Sequence, residues 1–353
     1  MQQTTSHFQL TGPVTDISPF GSGHINASFR VKTEGGDYLL QRINNLVFPD
    51  IEALSNNIQL VTDHLRGKIL TATGEAGRQR TLQLVPTLEG KYWLQDEEGA
   101  YWRIFDFLSD LVSYDVVETP EQAYAGARSY GFFLGFLDDF PAKQIVPVLP
   151  DFHNMVSRLK AFEAALTQVQ GKLKSRVAQC QPEIKRVYVL ADEMMALQKA
   201  WDRGVLKTRV THNDTKFNNV LLTPAGEGRA VIDLDTVMPG IVHFDYGDGI
   251  RTAAATAAED ESDGHLIGVD REKYKAFTEG YLSVTRDYLS EAELHYLPKS
   301  GALLAYLMAV RFLTDYFMGD VYYSVKYAEH NLVRGRNQLL LAEVLVGFGG
   351  KLG

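Results

Sequence analysis

The chain has 353 residues, 45% hydrophobic and 22% charged, an ordinary globular balance with length enough for one large or two moderate cores. Its 35 basic residues stand against 44 acidic ones, a net charge of -9 with no basic tail or run, which argues against nucleic acid as the main partner. Cys180 is the single cysteine, so no disulfide forms within the chain. The first residues lack a signal-peptide pattern and no run of about 18 apolar residues occurs, so the expectation is a soluble cytoplasmic protein without a membrane span.

Residues 14–43 read as three strands joined by two turns. The first turn, Ser18-Pro19-Phe20-Gly21-Ser22-Gly23-His24-Ile25-Asn26, holds two glycines. The backbone of Gly21, Ser22 and Gly23 is therefore either a phosphate-facing loop or an ordinary hairpin turn. Glu34-Gly35-Gly36-Asp37 is a strong hairpin signal. The return strand carries Arg42 near its end, as a cation for the α- and β-phosphates or as a solvated strand-end arginine. Ile51, Leu54, Ile58, Val61 and Leu65 recur at steps of three and four, which predicts a helix within 48–65. Glu52 in that helix either orients Arg42 or is a surface residue in the first turn, where negative charge is favoured. Three further strands are expected at 81–85, 91–95 and 101–105. The closing run Ile104-Phe105-Asp106-Phe107-Leu108 puts Phe105 and Phe107 with the nucleotide. Residues 1–107 thus form a mostly β lobe, and 108–353 a helical one.

Helices are expected at 119–140, opening on Thr119-Pro120-Glu121, then at 155–173 and 182–201. The loop Leu149-Pro150-Asp151-Phe152-His153-Asn154 either holds a polar small molecule or is a helix entry capped by Asn154. Beyond residue 240 come an alanine-rich helical piece at 252–258 and the acidic run Glu259-Asp260-Glu261-Ser262-Asp263, read as a solvated loop. Helices follow at 271–289, 290–318 and 326–346. The middle one is apolar nearly all round and so belongs in a core. Arg311 and Asp315 lie one turn apart in it and pair by default.

The chemistry concentrates in 208–240. A short apolar strand leads to His212-Asn213-Asp214, Asn219 follows, and a second apolar strand, Ala230-Val231-Ile232, delivers Asp233 and Asp235. Phosphoryl transfer needs positioning and charge neutralisation. One carboxylate, Asp214, accepts the proton of the attacking hydroxyl, while Asn219 and Asp233 hold Mg²⁺ against the phosphates. Lys216 either neutralises the γ-phosphate or is a surface lysine. His212 is expected to hold the loop through backbone hydrogen bonds, and Asp235 is either a second metal contact or loop support. Asp214, Asp233 and Asp235 also suit a two-metal hydrolase, but that leaves the Gly-rich hairpin and Arg42 without a role.

His212-x-Asp214-x₄-Asn219 followed by a strand ending Ile232-Asp233 resembles the aminoglycoside phosphotransferase and choline kinase family. That resemblance implies an α+β, two-lobed protein-kinase-like fold with a small β-rich lobe and a larger, mainly helical lobe. It also implies ATP and Mg²⁺ as cofactors, Asp214 as base, Asn219 and Asp233 as metal ligands, and Arg42 in place of the family's strand lysine. Six blocks are similar to the N-acetylhexosamine 1-kinases within that family: 40–44, 150–154, 212–220, 231–240, 247–251 and 311–316. They imply phosphorylation of the anomeric O1 of N-acetylglucosamine or N-acetylgalactosamine. Asp151, Phe152, His153, Asp248, Arg251 and Arg311 then become the candidates around the sugar. Another small alcohol, such as an amino alcohol or aminoglycoside, is the alternative acceptor; a cationic one needs a dense acidic pocket, which 259–263 is able to offer.

Overall fold

A computed structural model describes residues 1–21, 25–73 and 80–349. The chain opens with a single helical turn, α1 (Gln2–Thr5), and three strands, β1 (Val14–Pro19), β2 (Ala27–Thr33) and β3 (Gly36–Ile43). Helix α2 (Ile51–Thr73) follows, then β4 (Leu84–Val85), β5 (Leu94–Gln95) and β6 (Tyr101–Asp106). These strands form one antiparallel sheet in the order β1-β2-β3-β6-β4, with β5 also on β6. The β2–β3 hairpin closes at Gly35 and Gly36: Gly36 has φ +152°, and a side chain at Gly35 would run into Thr11.

Alternation along β3 and β6 gives the sheet two different faces. Tyr38, Leu40, Trp102 and Ile104 pack outward with Phe8, Val31 and Val85 in a small separate core. Leu39, Ile43 and Phe105 face the other way and join α2 in the main core, which continues through the helical lobe. The apolar stripe of α2 extends past Leu65 to Ile69, so the helix outruns the expected 48–65.

The helical lobe contains α3 (Pro120–Phe136), α4 (Met155–Gln168), α5 (Leu173–Gln179) and α6 (Gln181–Asp202). Thr119 and Asn154 cap α3 and α4 through their side chains, as their positions predict. Two small ribbons then carry the site: β7 (Arg209–Thr211) pairs with β10 (Met238–Gly240), and β8 (Val220–Leu222) with β9 (Gly228–Val231). The chain ends with α7 (Val242–Ala253), α8 (Arg271–Thr285), α9 (Glu291–Tyr296), α10 (Ser300–Met318) and α11 (His330–Gly349).

The helix expected at 252–258 in fact lies ten residues earlier, as α7. Gly247 and Gly249 weaken its local signal, but both are packing requirements. A side chain at Gly247 would strike the Ser300 carbonyl of α10, and one at Gly249 the Phe277 ring of α8. Gly280 likewise lets α8 lie directly on the Tyr124 backbone of α3. The segment Glu291–Met318 is long and apolar enough to span a membrane, yet 83% of its most apolar window is buried, as in a core helix.

Candidate active site

The loop after β7 is held from every side. Asn213 takes a left-handed conformation, φ +65°, and the Asp245 carboxylate of α7 accepts the N–H groups of His212 at 2.9 Å and Asn213 at 2.8 Å. His212 Nε2 donates to the Ile232 carbonyl at 2.9 Å, and its Nδ1 receives the Asp214 N–H at 3.3 Å. His212 is thus the loop-holder its sequence position predicts. Burial pushes Asp245 up to about 6 in spite of its two backbone donors. Asp214 sits at the loop's tip. Burial pulls its carboxyl up, but Lys216, whose Nζ lies 2.9 Å from Oδ1, outweighs it and the pKa falls below the ordinary value. The group is ionised at neutral pH and able to take a proton.

Asn219 and Asp233 approach each other through the β8–β9 ladder. Val220 pairs with Val231, and one rung further out the Ile232 N–H donates to the Asn219 carbonyl at 2.9 Å. Asn219 Nδ2 donates to the Asp214 carbonyl at 2.9 Å, which leaves the amide oxygen without a hydrogen bond among the described residues. Asp233 has φ +60° and opens on the cleft. Its pKa is raised to about 7, by burial first and then by the carboxylates of Asp235 and Asp214. Two oxygen donors and an excess of negative charge fit a hard divalent cation whose remaining ligands are phosphate and water. Among the described residues no cluster of three or more His, Cys, Asp or Glu side chains forms a complete protein cage.

The sheet contradicts the expectation for Arg42. Strand alternation puts Arg42 on the outer face with Tyr38 and Leu40, exposed, where its charge acts on Asp96. Glu52 is exposed in the first turn of α2 and makes no ion pair with it. The strand arginine on the inner face is Arg103, from the neighbouring strand β6, opposite Gln41. It is 1% exposed, and its Nη1 lies 2.6 Å from Asp235 Oδ1. Gly21 has φ +78° at the start of the Gly-rich turn; Ser22 and Gly23 lie outside the described residues. Phe20 on that turn meets Phe107 edge-on at 5.1 Å, and the Arg30 guanidinium lies 4.6 Å from the same ring. Phe107 therefore packs beside the start of the Gly-rich turn, whereas Phe105 is buried in the main core.

The other wall comes from 149–154 and α10. Asp151 is exposed with φ +58°. His153 is buried, and its Nε2 donates to the Asn213 carbonyl at 2.9 Å. Burial draws its pKa down to about 3, so it is neutral, and its Nδ1 has no partner among the described residues. Its hydrogen-bond donor is thereby spent on the catalytic loop. Phe152 stacks between His153, 4.5 Å away, and Arg311, 4.8 Å away. The Tyr323 and Tyr322 rings complete the frame around the Arg311 guanidinium at 5.5 and 5.8 Å. Arg311 does not pair with Asp315, whose carboxylate instead accepts the N–H groups of Val321, Tyr322 and Tyr323. The only polar contact to Arg311 among the described residues is the Met308 sulfur at 3.9 Å.

Asp248 and Arg251 are buried and pair, Nη2 to Oδ1 at 2.7 Å, but Asp248 Oδ2 has no hydrogen-bond partner among the described residues and its charge acts on Lys216. Arg251 also reaches Glu259 at 3.3 Å, which Arg334 holds at 2.7 Å. Asp260 pairs with Lys326 at 3.0 Å. The acidic run is a loop, as expected, with Ser262 and Asp263 exposed, but it is not a free acidic pocket: its first two carboxylates are matched by cations from α7, α11 and the α10–α11 connection.

Residues 16–277 match the model of the phosphotransferase enzyme family. The chain belongs to that family. Among solved structures it is similar to an aminoglycoside phosphotransferase from Alicyclobacillus acidocaldarius, at TM-score 0.63 and 14% identity over 100% of this chain and 97% of that one. A microcompartment-associated aminopropanol kinase gives 0.62 at 16% identity, over 99% and 97%. An ethanolamine kinase from Plasmodium vivax gives 0.59 at 14% identity, over 94% and 83%. These likenesses establish the two-lobed kinase-like fold.

Within this family member, sequence reasoning missed Asp245, Arg103 and Asn26. Asp245 stood unassigned amid the apolar start of α7. Arg103 was legible only through its register: with Tyr101 and Phe105 it shares one face of β6.

Proposed function

We propose that this phosphotransferase is an ATP- and Mg²⁺-dependent kinase for the anomeric O1 hydroxyl of N-acetylhexosamines. The observation that carries the reading is Arg311, framed by three aromatic rings beside the catalytic loop with no carboxylate partner among the described residues. Aminoglycosides and amino alcohols are cations, and a wall of this sign repels them. A neutral sugar with hydroxyls and an acetamide oxygen offers acceptors for a guanidinium and apolar faces for aromatic rings. Arg158 adds to the same sign; burial and the Arg311 charge draw its own pKa down to about 10. The six sequence blocks similar to N-acetylhexosamine 1-kinases support the same acceptor.

In the reaction Asp214 accepts the O1 proton as O1 attacks the γ-phosphorus, and the bond to the β-bridging oxygen breaks to release ADP. Little proton transfer is needed early in a loose transition state, so a carboxylate of lowered pKa suffices. Lys216 is placed to leave Asp214 for the transferring phosphoryl group. Asn219 and Asp233 would hold Mg²⁺, which supplies charge neutralisation at the phosphates. The mouth between Phe20, Phe107 and the Gly-rich turn would take the nucleotide. A cytoplasmic setting, where ATP is abundant, goes with this reading.

The test is an acceptor panel with MgATP, followed by phosphorus NMR of the product. Turnover of N-acetylglucosamine or N-acetylgalactosamine to the 1-phosphate is expected. A 6-phosphate product, or turnover of amino alcohols or aminoglycosides alone, would refute the proposal.

A further inference from the structure

Asp235 is two residues from the open carboxylate of Asp233 but points the other way. Its Oδ2 accepts from Asn26 Nδ2 at 2.6 Å, and its Oδ1 lies 2.6 Å from Arg103 Nη1. Both partners belong to the small lobe. Asn26 closes the Gly-rich turn and accepts the Asn44 N–H at 3.0 Å; Arg103 is fixed by Gln41, whose Oε1 receives its Nε at 3.0 Å and Nη2 at 2.8 Å. On the far side, the turn carrying Asp235 is tied to the catalytic loop. Thr236 Oγ1 donates to the His212 carbonyl at 2.7 Å, and Asn213 Nδ2 donates to the Thr236 carbonyl at 2.9 Å. Arg103 and Asp235 are 1% and 3% exposed, so both charges have left water.

A buried ion pair contributes little net stability against apolar residues of the same volume, and its best-attested use is to fix register. Here the two elements in register are the strands above the cleft and the turn that carries Asp233.

We infer that Arg103, Asp235 and Asn26 form an inter-lobe clasp that fixes β6 and the residue preceding β2 against the turn that carries Asp233. In this reading Asp235 is a positioning residue and not a metal ligand, and Arg103 acts through it. The clasp is built from β6, the residue before β2 and the 234–236 turn, while Arg42 faces outward. The inference rests on the kinase reading but not on the identity of the acceptor.

The test is a double-mutant cycle on MgADP affinity by titration calorimetry, which needs no acceptor. Arg103→Met and Asp235→Asn are each expected to weaken binding about 10- to 30-fold. The double variant should lose no more than the weaker-binding single. Arg103→Lys should recover part of the loss, and the half-saturating Mg²⁺ concentration of Asp235→Asn should stay within about twofold of wild type. Asn26→Ala, at a half-buried polar position, gives the softer perturbation should the buried variants fail to fold, with an expected loss of about threefold. Multiplying losses in the double variant, a tenfold rise in Mg²⁺ requirement for Asp235→Asn alone, or an unchanged Asn26→Ala would overturn the clasp. A wild type that binds MgADP yet phosphorylates no N-acetylhexosamine would sink the acceptor assignment and leave the clasp standing; one that does not bind MgADP overturns both.

Discussion

Replacing Asp245 with asparagine tests how the catalytic loop is held. The carboxylate is 3% exposed and accepts two consecutive backbone N–H groups, one on each oxygen. Asparagine keeps a single acceptor and turns an NH₂ toward the other donor, so one buried N–H loses its partner. Such an orphan costs about 1–3 kcal/mol. Removing a buried charge offsets part of this, which leaves a net loss of about 2 kcal/mol. At about 2.1 cal/mol/K of unfolding entropy per residue, a chain of this length should melt about 3 °C lower. The effect on turnover should be larger. The tethered N–H groups precede Asp214 by one and two residues, and a shift of about 1 Å at the base costs on the order of 100-fold in kcat. Differential scanning calorimetry and a coupled ADP-release assay with N-acetylglucosamine read the two effects. A variant that melts with the wild type and keeps kcat within about twofold would refute the role given to Asp245.

Asp214→Asn should lower kcat by about 10²- to 10⁴-fold while MgADP affinity by calorimetry stays within about threefold; near-normal turnover would remove Asp214 as the base. Arg42→Ala should leave the KM for ATP unchanged, since the side chain lies on the outer face of the sheet; a tenfold rise would restore it to the phosphate site. Arg311→Met should raise the KM for N-acetylhexosamine about 10- to 100-fold through loss of a charge-assisted hydrogen bond, with the KM for ATP unaffected. Gly280→Ala forces a methyl group onto the Tyr124 backbone between α3 and α8. It should cost about 1–3 kcal/mol in a thermal melt without altering either KM.

The motif 212–233 is local in sequence because its geometry is local in space: two short ribbons, both formed within 209–240, present Asp214, Asn219 and Asp233. Strands, caps and the buried character of α10 were legible for the same reason, since hydrophobic period and capping chemistry act over a few residues. Helix α7 was not. Gly247 and Gly249 speak against a helix, and only the approach of Ser300 and Phe277 explains why glycine stands there.

The sequence by itself determined the family pattern, the two-lobed order of elements and the residues proposed here as base and metal ligands. Tertiary structure alone decided which strand arginine turns inward to Asp235. Arg42 and Arg103 are both strand arginines, and a one-residue difference in alternation sends one to solvent and the other to Asp235. It also decided which of the remaining charges are paired. In sequence, Arg311 pairs with Asp315 and Glu259 stands free. In space Asp315 is consumed by three backbone N–H groups and Glu259 by two arginines, which leaves Arg311 without a carboxylate partner among the described residues.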